Sequence, residues 1–201
     1  MMHPDLTALL AELEVFGRTN DDAQADRANR MLNLEPDTAH LISLLIRLSG
    51  RRQVLEIGTS NGYSTIWLAW AVGVLGHVTS LDRSAEKHTL AEQNIKRSGL
   101  QDRVELITGD ATAIVEKLTG PFDTVFFDAD RTSAPAQLQI LLPKLAPGTL
   151  LLADNVLSHP EEIAGYLDAL AAIPHLDTMV ISVGKGLSIA YYEGRASSPA
   201  N

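Results

Sequence analysis

The chain has 201 residues, 45% hydrophobic and 20% charged, with a formal net charge of −9 and no cysteine. That length predicts one domain with a sizeable core, and the missing cysteines exclude disulfide scaffolds, thiolate metal sites and cysteine nucleophiles. The acidic balance argues against a nucleic-acid partner, which needs a basic footprint.

The first 50 residues form an N-terminal helical segment. Leu6, Leu9, Leu10 and Leu13 recur at helical spacing, a polar stretch runs from Arg18 to Arg30, and Pro36 opens a second amphipathic helix that Gly50 ends. From Arg51 short apolar runs alternate with helical segments. Predicted strands are 54–57, 77–81, 104–108, 124–127 and 149–153. Predicted helices between and after them are 65–72, 85–97, 111–118, 136–145 and 161–172, with Pro147-Gly148 closing the fourth. Such alternation predicts parallel strands with crossover helices on both faces. Residues 178–183 and 187–192 flank Gly184-Lys185-Gly186 and read as a β-hairpin. The expected fold is a doubly wound, mostly parallel, Rossmann-like α/β sheet over residues 51–195 that ends in an antiparallel hairpin. No apolar run is long enough to cross a bilayer, and Met1-Met2-His3-Pro4-Asp5 lacks the features of a signal peptide. A cytoplasmic location without membrane contact is expected.

Ligands of such sheets sit beyond the carboxyl ends of the strands. The first strand leads into Glu56-Ile57-Gly58-Thr59-Ser60-Asn61-Gly62-Tyr63-Ser64. Gly58 and Gly62 let the backbone approach a ligand, or simply make a tight strand-to-helix turn. Asp82 ends the second strand, 24 residues after Gly58. It can accept both hydroxyls of a ribose, or serve as an acid near a helix start. Glu56 repels phosphate and suits an ammonium. A ligand with a nucleoside, a cation and a carboxylate fits: S-adenosylmethionine.

Asp128 and Asp154 end the fourth and fifth strands, and Asn155 follows. Neighbouring parallel strands would present two carboxylates and an amide together. That oxygen set suits a hard divalent cation, Mg²⁺ foremost. The plainer alternative is two strand-end acids used as caps.

The run Glu-Ile-Gly-x-x-x-Gly-Tyr-Ser-Thr within Val54 to Trp67 resembles the first motif of the metal-dependent, class I O-methyltransferases, the family of catechol and caffeoyl-CoA O-methyltransferases. Val78 to Asp82, Gly109-Asp110-Ala111, Phe126 to Asp130, Ala153-Asp154-Asn155 and Val183 to Leu187 match in family order across most of residues 31–192. The resemblance implies an enzyme that methylates a small hydroxylated acceptor and pairs as a homodimer, the N-terminal helices offering an extra apolar face. It implies Glu56, Gly58, Ser64 and Asp82 at the cofactor's amino acid and ribose, with Asp110 and Ala111 at its adenine. Gly62 and Asp128 stand on the cofactor side too, and Asp128, Asp154 and Asn155 are the implied metal ligands.

Two departures stand out. The family carries a lysine, proposed as general base, three residues after the first ligand, where this chain has Arg131. An arginine stays protonated, so metal and hydroxide suffice, Arg131 orients the acceptor or stabilises an oxyanion, catalysis is altered, or Arg131 is a solvated cation. Asp130 takes the proton or only caps. The segment from Val156 to Pro160 is also shorter than in many relatives. His159 there reads as a helix-entry residue, Trp67 and Trp70 as core, and Lys87, Lys96 and Arg97 as a solvated helix face. The rival readings are an NAD-dependent oxidoreductase and a non-catalytic nucleoside-binding protein derived from a methyltransferase.

Overall fold

The computed structural model describes residues 2–194, so residue 195 of the expected domain lies outside the described residues. Seven strands form one sheet: β1 (Gln53–Ile57), β2 (His77–Asp82), β3 (Val104–Thr108), β4 (Phe122–Phe127), β5 (Leu145–Ala153), β6 (Leu176–Ile181) and β7 (Leu187–Tyr192). Their spatial order is β3-β2-β1-β4-β5-β7-β6. The first five are parallel, and β7 runs antiparallel between β5 and β6. The order reverses between β1 and β4, and that switch point opens a crevice at the carboxyl ends of the strands.

The helices are α1 (Pro4–Ala23), α2 (Pro36–Ser49), α3 (Tyr63–Ala71), α4 (Ala85–Ser98), α5 (Ala111–Lys117), α6 (Ala134–Leu141) and α7 (Pro160–Ala171). Side chains alternate across β4. Phe126 joins Val54 and Val78 in a core under α1 to α4, while Val125 and Phe127 join Leu55 and Ile57 under α5 to α7. Leu6, Leu9, Leu10 and Leu13 of α1 lie in the first core, so the N-terminal helices pack into the body of the sheet. Among the described residues, no helix is long and apolar enough to cross a membrane.

Some boundaries differ from the sequence reading. Helix α1 runs into the polar stretch, where Asn20 and Asp21 accept the Met31 N–H at 3.1 and 2.6 Å. Helix α6 starts earlier than expected, with Pro135 in its first turn, and ends at Leu141. Pro143 has no N–H to give, so the chain tightens into a 3-10 turn over Leu142–Lys144. Pro147-Gly148 lies inside β5, where the register to β4 shifts and the ladder bulges.

Of the cations expected on a solvated face, Lys87 is partly buried as a tether, and Arg97 is exposed but paired across to α1. Lys87 Nζ donates to the Arg30 carbonyl at 2.6 Å, and Arg97 pairs with Glu12 of α1 at 2.6 Å. The segment between α1 and α2 is thereby strapped to α4.

Candidate cofactor and metal site

The crevice is built from the loops after β1, β2, β4 and β5. Asp82 is the last residue of β2, and both its carboxylate oxygens are held. Oδ2 accepts the Ser60 N–H at 2.7 Å and Oδ1 the Ser84 N–H at 2.9 Å. These bonds aim the carboxylate without using all its lone pairs. Ser60 Oγ donates to the Met31 carbonyl at 2.5 Å, which brings the N-terminal strap to the rim of the crevice. Asn94 of α4 holds the loop from behind, donating to the Asn61 carbonyl at 2.9 Å. Asp82→Ala is expected to weaken S-adenosylhomocysteine binding by about 1.5–3 kcal/mol, the loss of charge-assisted hydrogen bonds. Unchanged affinity in calorimetry would sink the ribose assignment.

The two glycines face protein rather than open space. A Cβ on Gly58, at φ +119°, would meet the main-chain carbonyl of Asp128. One on Gly62, at φ +85°, would sit 3.3 Å from Ala91 of α4. Gly58 thus lets the β1 and β4 loops touch, and Gly62 lets α4 close on the start of α3.

Glu56 is fully buried. Its Oε2 accepts from Thr65 Oγ1 and Ser80 Oγ at 2.5 Å each, and its Oε1 has no partner. Burial pushes this carboxyl from 4.5 up to about 7, against the lowering effect of the Ser64, Ser80 and Thr65 hydroxyls. The acid is therefore a hub between α3 and β2 whose Oε1 alone remains for a ligand. Its folded pKa lies above its unfolded value, so its contribution to stability is full below about 4.5 and is lost as pH rises to about 7. The cofactor-free chain should lose up to about 3 kcal/mol over that window through this group. Urea melts at pH 5 and pH 8 should show the loss, and Glu56→Gln should shrink it.

Asp128 and Asp154 follow paired positions, since Phe127 stands opposite Ala153 and the Asp154 N–H donates to the Phe127 carbonyl at 3.2 Å. Asp154 is 3% exposed, and its Oδ1 has no partner. Its Oδ2 accepts from Asn155 Nδ2 at 2.6 Å, with Asn155 in the left-handed region at φ 66°. Burial raises Asp128 well above its ordinary range, and the neighbouring Asp154 adds to the rise. Burial likewise raises Asp154 to about 6, with Glu35 adding to it and Lys185 and Arg131 opposing it. A buried acid with an orphaned oxygen beside a half-buried acid whose pKa it raises fits a divalent cation. Turning the Asn155 amide would present its oxygen in place of Nδ2.

Arg131 is not solvated: its side chain is 10% exposed, and Nη1 pairs with Glu162 of α7 at 2.7 Å. Asp130 is a cap whose oxygens accept from the Thr132 N–H, Thr132 Oγ1 and Ser133 Oγ. Asp110 caps α5 by accepting the Ala113 N–H at 2.9 Å, with Ala111 opening that helix. Ser64, on the first turn of α3, is 6% exposed. His159 precedes α7, its Nδ1 2.8 Å from Ser158 Oγ. Trp67 and Trp70 meet edge-on at 6.0 Å beside the first core.

Three charged residues escaped the sequence reading: Glu35 and Lys185, which act on the acids, and Glu162, which pairs with Arg131. Lys185 Nζ pairs with Glu35 Oε1 at 2.6 Å. Their spacing along the chain carries no signal, because only the folded chain brings them to these partners.

The model of a family described as O-methyltransferase matches residues 8–191. The chain is 38% identical to a catechol O-methyltransferase of Niastella koreensis over 147 residues, 71% of this chain and 66% of that one. It is 41% identical to a catechol O-methyltransferase of Mycobacterium tuberculosis over 107 residues, 53% of this chain and 49% of that one. The chain thus spans less than two thirds of the length of each of these two curated relatives. An O-methyltransferase of Bacillus cereus solved in complex with SAH superposes with a TM-score of 0.80 at 30% identity, covering 92% of this chain and 90% of that one. TomG from Streptomyces achromogenes, an O-methyltransferase solved with SAM, gives 0.78 at 26%, covering 96% and 92%. The fold is that of a class I methyltransferase. The chain belongs to the O-methyltransferase family, which sets aside the NAD-dependent oxidoreductase reading.

Proposed function

We propose that this chain transfers the methyl group of S-adenosylmethionine to a hydroxyl of a small, catechol-like acceptor, assisted by a divalent cation, Mg²⁺ foremost, at Asp128, Asp154 and Asn155. The observation that carries the metal half is the buried Asp154, its Oδ1 unpartnered, beside the half-buried Asp128 whose pKa it raises. The named relatives and the SAH and SAM complexes of the structural neighbours support the cofactor and acceptor class.

A bound cation supplies orientation of a diol and acidity to its hydroxyl. The chain's own residues do the rest. Asp82 and Ser64 position the cofactor's ribose and amino acid, and Asp110 and Ala111 lie at its adenine. Arg131, paired with Glu162, lies near enough to lower the pKa of both acids, and its charge favours an anionic acceptor oxygen. Transfer then requires mainly that this oxygen lie in line with the sulfonium methyl.

The test is calorimetric titration of Mg²⁺ into the chain saturated with S-adenosylhomocysteine, alongside methylation of a catechol with EDTA and with restored Mg²⁺. Saturable Mg²⁺ binding and EDTA-sensitive turnover are expected. Full turnover in EDTA removes the metal from this reading. A chain that binds S-adenosylhomocysteine yet methylates no phenol is the nucleoside-binding relative instead.

The same reading places the chain in the cytoplasm as a homodimer, without nucleic-acid or membrane partners. Leu44 and Leu48 lie one turn apart on α2 and are 37% and 84% exposed, an apolar face a second copy could cover. A dimer mass by light scattering at micromolar concentration is expected, and a monomer mass would refute it.

A further inference from the structure

The turn Gly184-Lys185-Gly186 meets the first turn of α2, and the chemistry proposed above uses neither. Glu35 is the N-cap residue of α2, yet its side chain makes no capping hydrogen bond. Its Oε1 pairs instead with Lys185 Nζ at 2.6 Å. Its Oε2, buried without a partner, is turned to Gly184. Gly184, at φ +52°, lies so close to this helix start that a Cβ on it would stand 2.5 Å from Thr38 Oγ1 and 3.0 Å from Glu35 Oε2.

The same turn holds the loop that carries Asn155. The Leu157 and Ser158 N–H groups donate to the Lys185 carbonyl at 3.0 and 3.2 Å, and the Val156 N–H donates to the Gly186 carbonyl at 3.1 Å. Ser158 Oγ donates to the Asn155 carbonyl at 3.2 Å, and Asn155 Nδ2 to Asp154 Oδ2 at 2.6 Å. Lys185 thus reaches α2 through its side chain and the Asn155 loop through its carbonyl. The acids lie on the α2 side of the sheet. Phe126 and Leu152 belong to the core under α1 to α4, and Phe127 and Ala153 to the other core. The Asp128 and Asp154 N–H groups continue the ladder to the Ile57 and Phe127 carbonyls, so alternation returns both acids to the first face. Among the described residues no three His, Cys, Asp or Glu side chains gather to hold a cation, so Glu35 is not a further ligand.

We propose that Glu35 and Lys185 form a latch that positions the Asn155 loop for the cation. The ion pair fixes the turn against α2, and the Lys185 carbonyl passes that position to the amides of Leu157 and Ser158. Both are positioning residues, and neither touches the cation or the acceptor. The inference rests on the metal reading above and extends it to residues outside the ligand set.

A latch and a bare charge effect differ in sign. As a charge alone, Lys185 repels a cation, so removing it tightens Mg²⁺ binding, while removing Glu35 weakens it. Removing both then returns the affinity towards that of the wild type. As a latch, either removal weakens binding, and removing both costs no more than removing one.

The experiment titrates Mg²⁺ calorimetrically into the full chain saturated with S-adenosylhomocysteine. It compares the wild type with Glu35→Gln, Lys185→Met and the double variant, with thermal melts confirming that each folds. The paired side chains are 25% and 49% exposed. Each variant should therefore bind Mg²⁺ about fivefold more weakly, roughly 1 kcal/mol, the upper end for a partly exposed ion pair. Affinity for S-adenosylhomocysteine should not change. In the metal-free single variants, amide hydrogen exchange at Leu157 and Ser158 should quicken about fivefold, while the amides of β4 keep their wild-type rates. Mg²⁺ binding to Lys185→Met as tight as in the wild type, or tighter, overturns the latch. So do Leu157 and Ser158 amides that exchange at the wild-type rate in Glu35→Gln. A wild type that takes up no Mg²⁺ brings down the metal reading and this proposal with it. Mg²⁺ uptake by the wild type with every variant unchanged overturns the proposal alone.

Discussion

Asp128→Asn is expected to lower Mg²⁺-dependent methylation by about 10³-fold, roughly 4 kcal/mol of transition-state stabilisation, and to raise the stability of the metal-free chain. The activity loss follows because one missing carboxylate leaves a weak, mostly hydrated cation site. The stability gain follows from sign. Burial and Asp154 hold the folded-state pKa of Asp128 well above 3.8, so the folded chain binds that proton more tightly than the unfolded chain does. Stability from this group is full below about 3.8 and declines as pH rises through the window up to the raised value. An amide of the same shape does not ionise and avoids the loss. Denaturant melts in EDTA should show a gain that is largest at pH 8 and shrinks towards pH 4. A variant less stable than the wild type at pH 8, or as active with Mg²⁺, contradicts the assignment. S-adenosylhomocysteine binding should largely survive, because Asp82 and the loop after β1 remain.

Gly58→Ala is expected to cost about 3–5 kcal/mol of stability. Part comes from φ +119°, a conformation that L side chains rarely adopt. The rest comes from overpacking, because the obstacle is the Asp128 backbone, which cannot rotate aside as a side chain can. Any relief shifts the Asp128 backbone from its place between Gly58 and Asp154, so Mg²⁺ affinity should fall with stability. Gly50→Ala is the control. Gly50 also has positive φ, at +67°, but nothing lies within 4 Å of its Cβ position. Its cost should stay near 1 kcal/mol. Thermal melts of the two variants distinguish crowding from backbone strain, and equal losses would remove the crowding argument.

The parallel frame is legible in the sequence because its inner strands are short apolar runs buried on both faces, bounded by turn residues. Val54 to Ile57 and Thr124 to Phe127 are such runs, and both lie where the periodicity puts them. The site acids are legible because strand ends are. Asp82, Asp128 and Asp154 each follow an apolar run, and the sheet brings the last two together through β4 and β5. The start of α6 was legible and missed, since Pro135 belongs in a first turn. Pro143 likewise marked where that helix had to stop.

Other features depend on contacts that sequence spacing does not encode. The Arg131–Glu162 pair joins residues 31 apart through the packing of α7 beside the β4 loop. The hydroxyls that bury Glu56 come from α3 and β2. The pair of Gly58 with the Asp128 carbonyl is a main-chain contact between two loops, and neither residue's type announces its partner.

The loop that follows Asp154-Asn155 has a debt to the far end of the chain. Its amides at Val156, Leu157 and Ser158 donate to the carbonyls of Gly186, Lys185 and Lys185 at 3.1, 3.0 and 3.2 Å. Strand β7, just beyond, slots between β5 and β6. During synthesis β1, β2 and β3, which lead into the candidate cofactor residues, are made well before the strand that completes the surroundings of Asp154. The two sides of the crevice are therefore separated in time. The hairpin turn at Gly184-Lys185-Gly186, which holds the loop after Asp154-Asn155, is the last part of the crevice to be made.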